Sequence, residues 1–204
     1  MYEYMQQGGH IMWVIFAMSV IALAVTIERL IFFRENSTDP EALELAFGEA
    51  IFKGDRDKAY RVVSEKKSSL HRIFLAAYTH WEIDNEEIKL LVEQQVRREI
   101  YRWEKHLWLL ELVAKLSPLL GLLGTVLGMV EMFHSLNLGG QITGAAVTGG
   151  IYKALFTTVA GLAAAIPFIF IHGMLVSRID SEEETLNRGA DFIIMEHIIR
   201  TNEK

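Results

Sequence analysis

Three stretches of the chain, residues 11–33, 116–133 and 154–176, are apolar with few interruptions, and Thr26, Glu28 and Arg29 fall only near the end of the first. A bilayer core is crossed by about 20 helical residues, so each run is long enough or nearly so. Helices buried in a soluble bundle would show a polar face at helical spacing, and these runs largely do not. The pattern predicts an all-α integral membrane protein with three transmembrane helices and long helical extensions outside the membrane.

Residues 34–115 read as a separate helical region. Thr38-Asp39-Pro40-Glu41 offers a cap, a proline for the first turn and an early acid. Gly54 reads as a helix stop, and Asp84-Asn85-Glu86-Glu87 as a second start. No Gly or Pro follows until Pro118. Residues 86–133 are therefore expected to form one unbroken helix of 48 residues, about 72 Å long at 1.5 Å per residue, with Glu111 and Lys115 as an i,i+4 pair. Residues 177–204 continue as a helical tail whose apolar stripe (Ile179, Leu186, Ile193, Ile194, Ile198) packs either on this chain's own polar region or on another subunit.

Charge distribution sets the expected direction. Residues 34–105 hold 13 Lys and Arg, whereas residues 1–28 and 134–152 hold none. By the positive-inside rule, residues 1–10 and the 134–153 connection are periplasmic, while 34–115 and the tail are cytoplasmic. Without a positive n-region, the first run reads as a retained span and not a signal peptide.

Composition removes several function classes. The net charge of −6 and pI near 5.7 argue against a nucleic-acid partner. With no cysteine, disulfides, thiolate metal sites and cysteine nucleophiles are excluded. None of the seven histidines lies three or four residues from another, the spacing a helical metal site favours. His172 alone sits well inside a span. The glycines at 121 and 124 lie in an apolar helix, the wrong context for phosphate binding. Neither an enzymatic activity nor a cofactor is expected.

Small and hydroxyl residues recur on the second and third runs. Gly121, Thr125 and Gly128 share one helical stripe, as do Ala154, Thr158, Gly161 and Ala165. Such stripes let helices approach closely, either as a seam between two spans or as a lining around a pore or guest helix. The stripes exceed what a chain of three spans is expected to satisfy internally, which points to a ring of subunits. No carboxylate lies at mid-depth in any span, since Glu28, Glu111 and Glu131 fall towards the ends or outside. Threonine does not titrate in the working range. A proton crossing here would need a titrating group from another chain, with His172, nearer the cytoplasmic end of its span than Thr158, as the sole internal exception. Counting depth with Thr125 and Thr158 level brings Glu131 and Lys153 into one layer, where they either pair or snorkel separately.

Two segments, SPLLGLLGTVLGMV at 117–130 and GIYKALFTTVAGLAAAIP at 150–167, resemble the second- and third-span signatures of the MotA/TolQ/ExbB family, and Glu28-Arg29-Leu30 is also family-like. Three spans make ExbB and TolQ the better match than four-span MotA. The resemblance covers essentially the whole chain. It implies a homopentamer in the bacterial inner membrane, enclosing a single-span partner resembling ExbD or TolR and acting on an envelope protein resembling TonB or TolA. Ion passage, expected to be of protons, would be converted into mechanical work. The threonines matching the family's pore lining are Thr125 and Thr158, with Thr157 beside the latter. Lys153 stands where many ExbB-like chains carry Glu. The rival reading is a non-conducting membrane scaffold or sensor that uses the same small-residue seams only for assembly.

Overall fold

The computed structural model describes residues 9–137 and 144–202, and within these the side chains of all but 135–137, 144–147 and 202. Residues 1–8 and, in the 134–153 connection, residues 135–147, where two of the topology expectations fall, lie outside the described side chains. Among the described residues the fold is helical and without strands: α1 (His10–Asn36), α2 (Pro40–Phe52), α3 (Arg56–Ser64), α4 (Ser69–Thr79), α5 (Asn85–Glu104), α6 (Leu107–Asn137) and α7 (Gly144–Asn202). Two compact units result. One comprises the chain up to Glu28 together with residues 106–174, the other residues 29–105 and 175–204.

The first unit contains the larger part of α1, α6 and the first half of α7. Three helical segments are long and apolar enough to cross a membrane. Their most apolar windows are only 17%, 33% and 28% buried. Leu119, Val126, Val130, Leu155, Val159 and Ile166 all point outward. An exposed apolar surface of this extent is not tolerated in water, but lipid tails solvate it without penalty. Pro118 and Pro167 lie inside α6 and α7, where neighbouring helices can supply partners for the freed carbonyls. α1 contributes Ile15, Ala22 and Thr26 to the interior, and Thr26 Oγ1 donates a hydrogen bond to the Ala22 carbonyl at 2.8 Å.

The second unit is built like a water-soluble domain, with each short helix started by a side chain. Asp39 accepts from Glu41 N with Pro40 in the first turn, Asp55 from Lys58 N, Ser68 from His71 N, and Asp84 from Glu86 N and Glu87 N. Each cap satisfies amides that the helix itself leaves open. Gly54, at φ +68°, ends α2 in the left-handed conformation that glycine adopts without a Cβ penalty. Phe47, Phe74, Ile88, Val92 and Trp103 form the dry interior, with Phe47 edge-on to Phe74 at 5.3 Å. The tail half of α7 closes this core. Leu186 and Ile193 are 2% and 0% exposed, Phe192 stacks on Phe74, and His197 Nε2 lies 3.1 Å from the Trp81 carbonyl. Ile179, Leu186 and Ile193 of the tail's stripe are therefore buried on the chain's own polar region, whereas Ile198 stays exposed.

One expectation fails. The unbroken helix over 86–133 is interrupted between α5 and α6, where Lys105 turns extended and His106 takes φ +68°. The cause is tertiary. Arg29, 2% exposed, directs Nη1 at the carbonyls of Arg102 (2.9 Å) and Trp103 (3.4 Å), the orphan acceptors at the end of α5. Trp103 is held between Phe32 and Phe33 and donates to Ser69 Oγ at 2.9 Å. Alongside, the wholly buried Glu99 carboxylate receives Arg72 at 2.5 and 3.0 Å and Arg102 at 2.8 Å. A buried acid is tolerated because two guanidiniums share its charge.

Candidate functional site

Polar atoms inside the first unit concentrate where α6 meets α7. The helices run antiparallel, since contacts that ascend α6 descend α7: Gly121 against Thr158, Gly124 against Thr157, and Gly128 against Ala154. A Cβ added at Gly124 would stand 2.5 Å from Thr157 Oγ1, and one at Gly121 would stand 2.9 Å from the Thr157 carbonyl. At Gly161 it would collide with the Ser117 carbonyl. These glycines are required by the closeness of the two backbones, the reason small residues populate such membrane seams.

The buried edge of α6 is Ser117, Gly121, Gly124 and Gly128, and that of α7 is Ala154, Thr157, Gly161 and Ala165. Four residues expected in packing stripes therefore lie in the seam, Gly121, Gly128, Ala154 and Gly161, and Ala165 is buried one turn beyond Gly161. Ser117 and Gly124 join them. Their 4-3-4 spacing with Gly121 and Gly128 was readable in the sequence, yet the 4-3 spacing through Thr125 is equally helical. The choice between the two stripes required the partner helix.

The threonines occupy three different situations. Thr157 is 1% exposed and donates to the Ala154 carbonyl at 2.7 Å, with the Gly121 carbonyl 3.4 Å away. It belongs to the seam. Thr158, half-buried, donates across to the Gly121 carbonyl at 3.1 Å. Thr125, also half-buried, donates to the Leu122 carbonyl of its own helix at 2.6 Å. Thr125 and Thr158 thus have their protons directed at carbonyls, leaving hydroxyl lone pairs to accept from water or from a protonated carboxyl. They are not level. Thr158 faces Gly121, one turn of α6 away from Thr125.

Two inferences drawn from the sequence change accordingly. Because the seam is filled by α6 and α7 of the same chain, the small-residue stripes no longer argue for a ring of subunits. The assumption that Thr125 and Thr158 share a depth also falls. Nevertheless Lys153 Nζ lies 2.9 Å from Glu131 Oε2, since the long lysine side chain spans the offset. Both side chains remain partly open, at 37% and 72% exposure. His172 is half-buried on α7, away from the threonines. Among the described residues no three His, Asp or Glu side chains converge to hold a metal ion.

A family model for the MotA/TolQ/ExbB proton channel family matches residues 65–188, which include both edges of this seam. An ExbB-like biopolymer transport protein of Synechocystis sp. is 31% identical over 180 residues, covering 84% of this chain and 68% of the relative. An ExbB homologue of Methanothermobacter thermautotrophicus is 29% identical over 182 residues, covering 88% of this chain and 64% of its own length. The Tol-Pal system protein TolQ of Pseudomonas aeruginosa is 32% identical over 178 residues, 79% of this chain and 77% of the relative. The chain thus spans about two thirds of the length of the first two relatives and more of the third. With three apolar helices of spanning length, a small-residue seam under two threonines and this extent of similarity, the chain belongs to the MotA/TolQ/ExbB proton channel family.

Proposed function

We propose that the chain is the ion-conducting subunit of an inner-membrane motor, in which a homopentameric ring surrounds a single-span partner of the ExbD or TolR kind. Proton-motive force drives protons past the partner's carboxylate, and the resulting motion works on the cell envelope through a protein of the TonB or TolA kind. The observation that carries this reading is the pairing of two accessible threonine hydroxyls with spans that hold no mid-depth carboxylate. Thr125 and Thr158 can accept a hydrogen bond from a protonated acid or hold a water beside it, but they cannot carry the proton themselves. No Asp or Glu of this chain stands beside them and His172 lies away from them, so the carrier beside the threonines arrives on another chain. The ring itself rests on family membership, because the seam is satisfied within one chain.

The test is proton uptake by proteoliposomes containing this chain co-purified with its single-span partner. Thr125→Val and Thr158→Val keep the side-chain shape and remove the acceptor. A hydrogen bond between neutral groups contributes about 0.5–1.5 kcal/mol, so uptake should fall by about 2- to 10-fold with the complex intact. Thr157→Val, inside the seam, should leave uptake near normal and lower thermal stability. Unchanged uptake in both Thr125→Val and Thr158→Val would reduce the hydroxyls to packing groups and favour the scaffold reading.

A further inference from the structure

Titratable side chains gather at one end of the first unit, away from the threonines. Glu111 and Lys115 of α6 pair there, His172 of α7 is half-buried, and Glu28 of α1 lies 3.5 Å from His106 Nδ1. Glu111 precedes Thr125 by 14 residues, and His172 follows Thr158 by 14. Such a step advances a helix by about 21 Å and returns to within about 40° of the starting face. Each threonine therefore shares its face with one of these groups. Thr125 follows Gly124 and Thr158 follows Thr157, each one residue past the seam, which on antiparallel helices is the same side. Side chains lean towards the N-terminus of their helix, so Glu111 and His172, on helices of opposite direction, lean towards each other. Lys115 holds the Glu111 carboxyl below the usual carboxylate range, and the charge of His172 adds in the same sense.

We propose that His172 and Glu111 form the station that releases the proton after it leaves the threonine layer. The assignment deepens the conducting role proposed above and rests on it. The separation along the helices exceeds the reach of one proton transfer, so water links the two layers. Between them in depth, Ser117 Oγ is wholly buried without a hydrogen-bond partner, a group that a water on the route satisfies. The neutral imidazole of His172 takes the proton from water and becomes imidazolium. It then gives the proton to the Glu111 carboxylate, which passes it to bulk water, and both groups regain their starting charge. Histidine suits the step because its charge changes within about pH 5–8. Glu111, paired with Lys115 and half-exposed, does not retain a proton at neutrality. No other charged residue lies within five positions of His172 on α7, so Glu111 and Lys115 of α6 and the Glu28–His106 pair are the groups that set its surroundings.

The test is proton uptake, driven by a membrane potential, into proteoliposomes of the full chain co-purified with its single-span partner. His172→Ala should lower uptake about tenfold with the complex intact, below the roughly 10²–10⁴ of a positioned acid or base because water by-passes part of the step. Added imidazole should restore most of the loss, measured against protein-free vesicles given the same imidazole. In the wild type, uptake should fall more steeply than in His172→Gln as the release side is acidified, because a protonated imidazole accepts nothing. Glu111→Gln should also lower uptake, without response to imidazole. Unchanged uptake in His172→Ala or in Glu111→Gln would overturn the station and leave the conducting role in place. So would a loss in His172→Ala that imidazole does not restore together with equal pH profiles in the wild type and His172→Gln, which would make His172 a packing residue. Should His172→Ala fail to assemble, the pH profile of His172→Gln decides alone. Absence of uptake in the wild type would overturn the conducting role and the station together.

Discussion

Gly124 illustrates how little space the α6–α7 seam leaves. An added methyl would fall 2.5 Å from Thr157 Oγ1, whereas at Gly173, on the same α7, nothing lies within 4 Å. Overpacking costs about 1–3 kcal/mol, so Gly124→Ala should lower the thermal unfolding midpoint in detergent. Gly173→Ala should hold or raise it, because alanine is favoured over glycine in a helix by about 1 kcal/mol. Equal effects would mean that the two helices stand farther apart than described. Glu131 and Lys153 make a different case. Their 2.9 Å separation is ion-pair geometry, but with Glu131 72% exposed the coupling should be small. A double-mutant cycle with Glu131→Gln and Lys153→Met should give a favourable coupling of up to about 1 kcal/mol in unfolding. Additivity would mean that the charges reach the surface separately.

At the scale of elements, the junction between α5 and α6 shows a local rule overridden by distant groups. Nothing in residues 86–117 breaks a helix by propensity, yet Arg29, Phe32 and Phe33 of α1 hold the end of α5, and His106 takes a positive φ. A left-handed conformation costs a residue with a Cβ about 1–2 kcal/mol. His106→Gly should therefore hold or raise stability, and His106→Val, branched at Cβ, should lower it by more than about 1 kcal/mol. Chemical denaturation followed by circular dichroism measures both. The reverse order would indicate a chain that runs through this point as continuous helix. Caps, by contrast, were legible in advance. Asp39-Pro40, Gly54 and Asp84 do in the structure what their types do in any chain, since a cap is a contact between residues two or three apart.

For the whole molecule, the direction proposed for the chain in the membrane rests on charge placement alone. Cysteines introduced at Gln7 and Gln141 should react with an impermeant reagent in intact spheroplasts, as both segments lack Lys and Arg. Protection of both would reverse the orientation. Three spans, their excess of exposed apolar side chains and the separate capped helices were determined by sequence, because hydropathy over about 20 residues and contacts within one turn depend on no distant partner. Tertiary structure decided which of two adjacent small-residue stripes forms the seam, that Thr157 lies inside it while Thr125 and Thr158 stand at its margin, that α5 stops at Glu104, and that the tail covers the aromatic core. A helical period of 3.6 makes spacings of three and four equally acceptable, so neighbouring stripes are degenerate along the chain, and the shape and charge of the facing helix select between them.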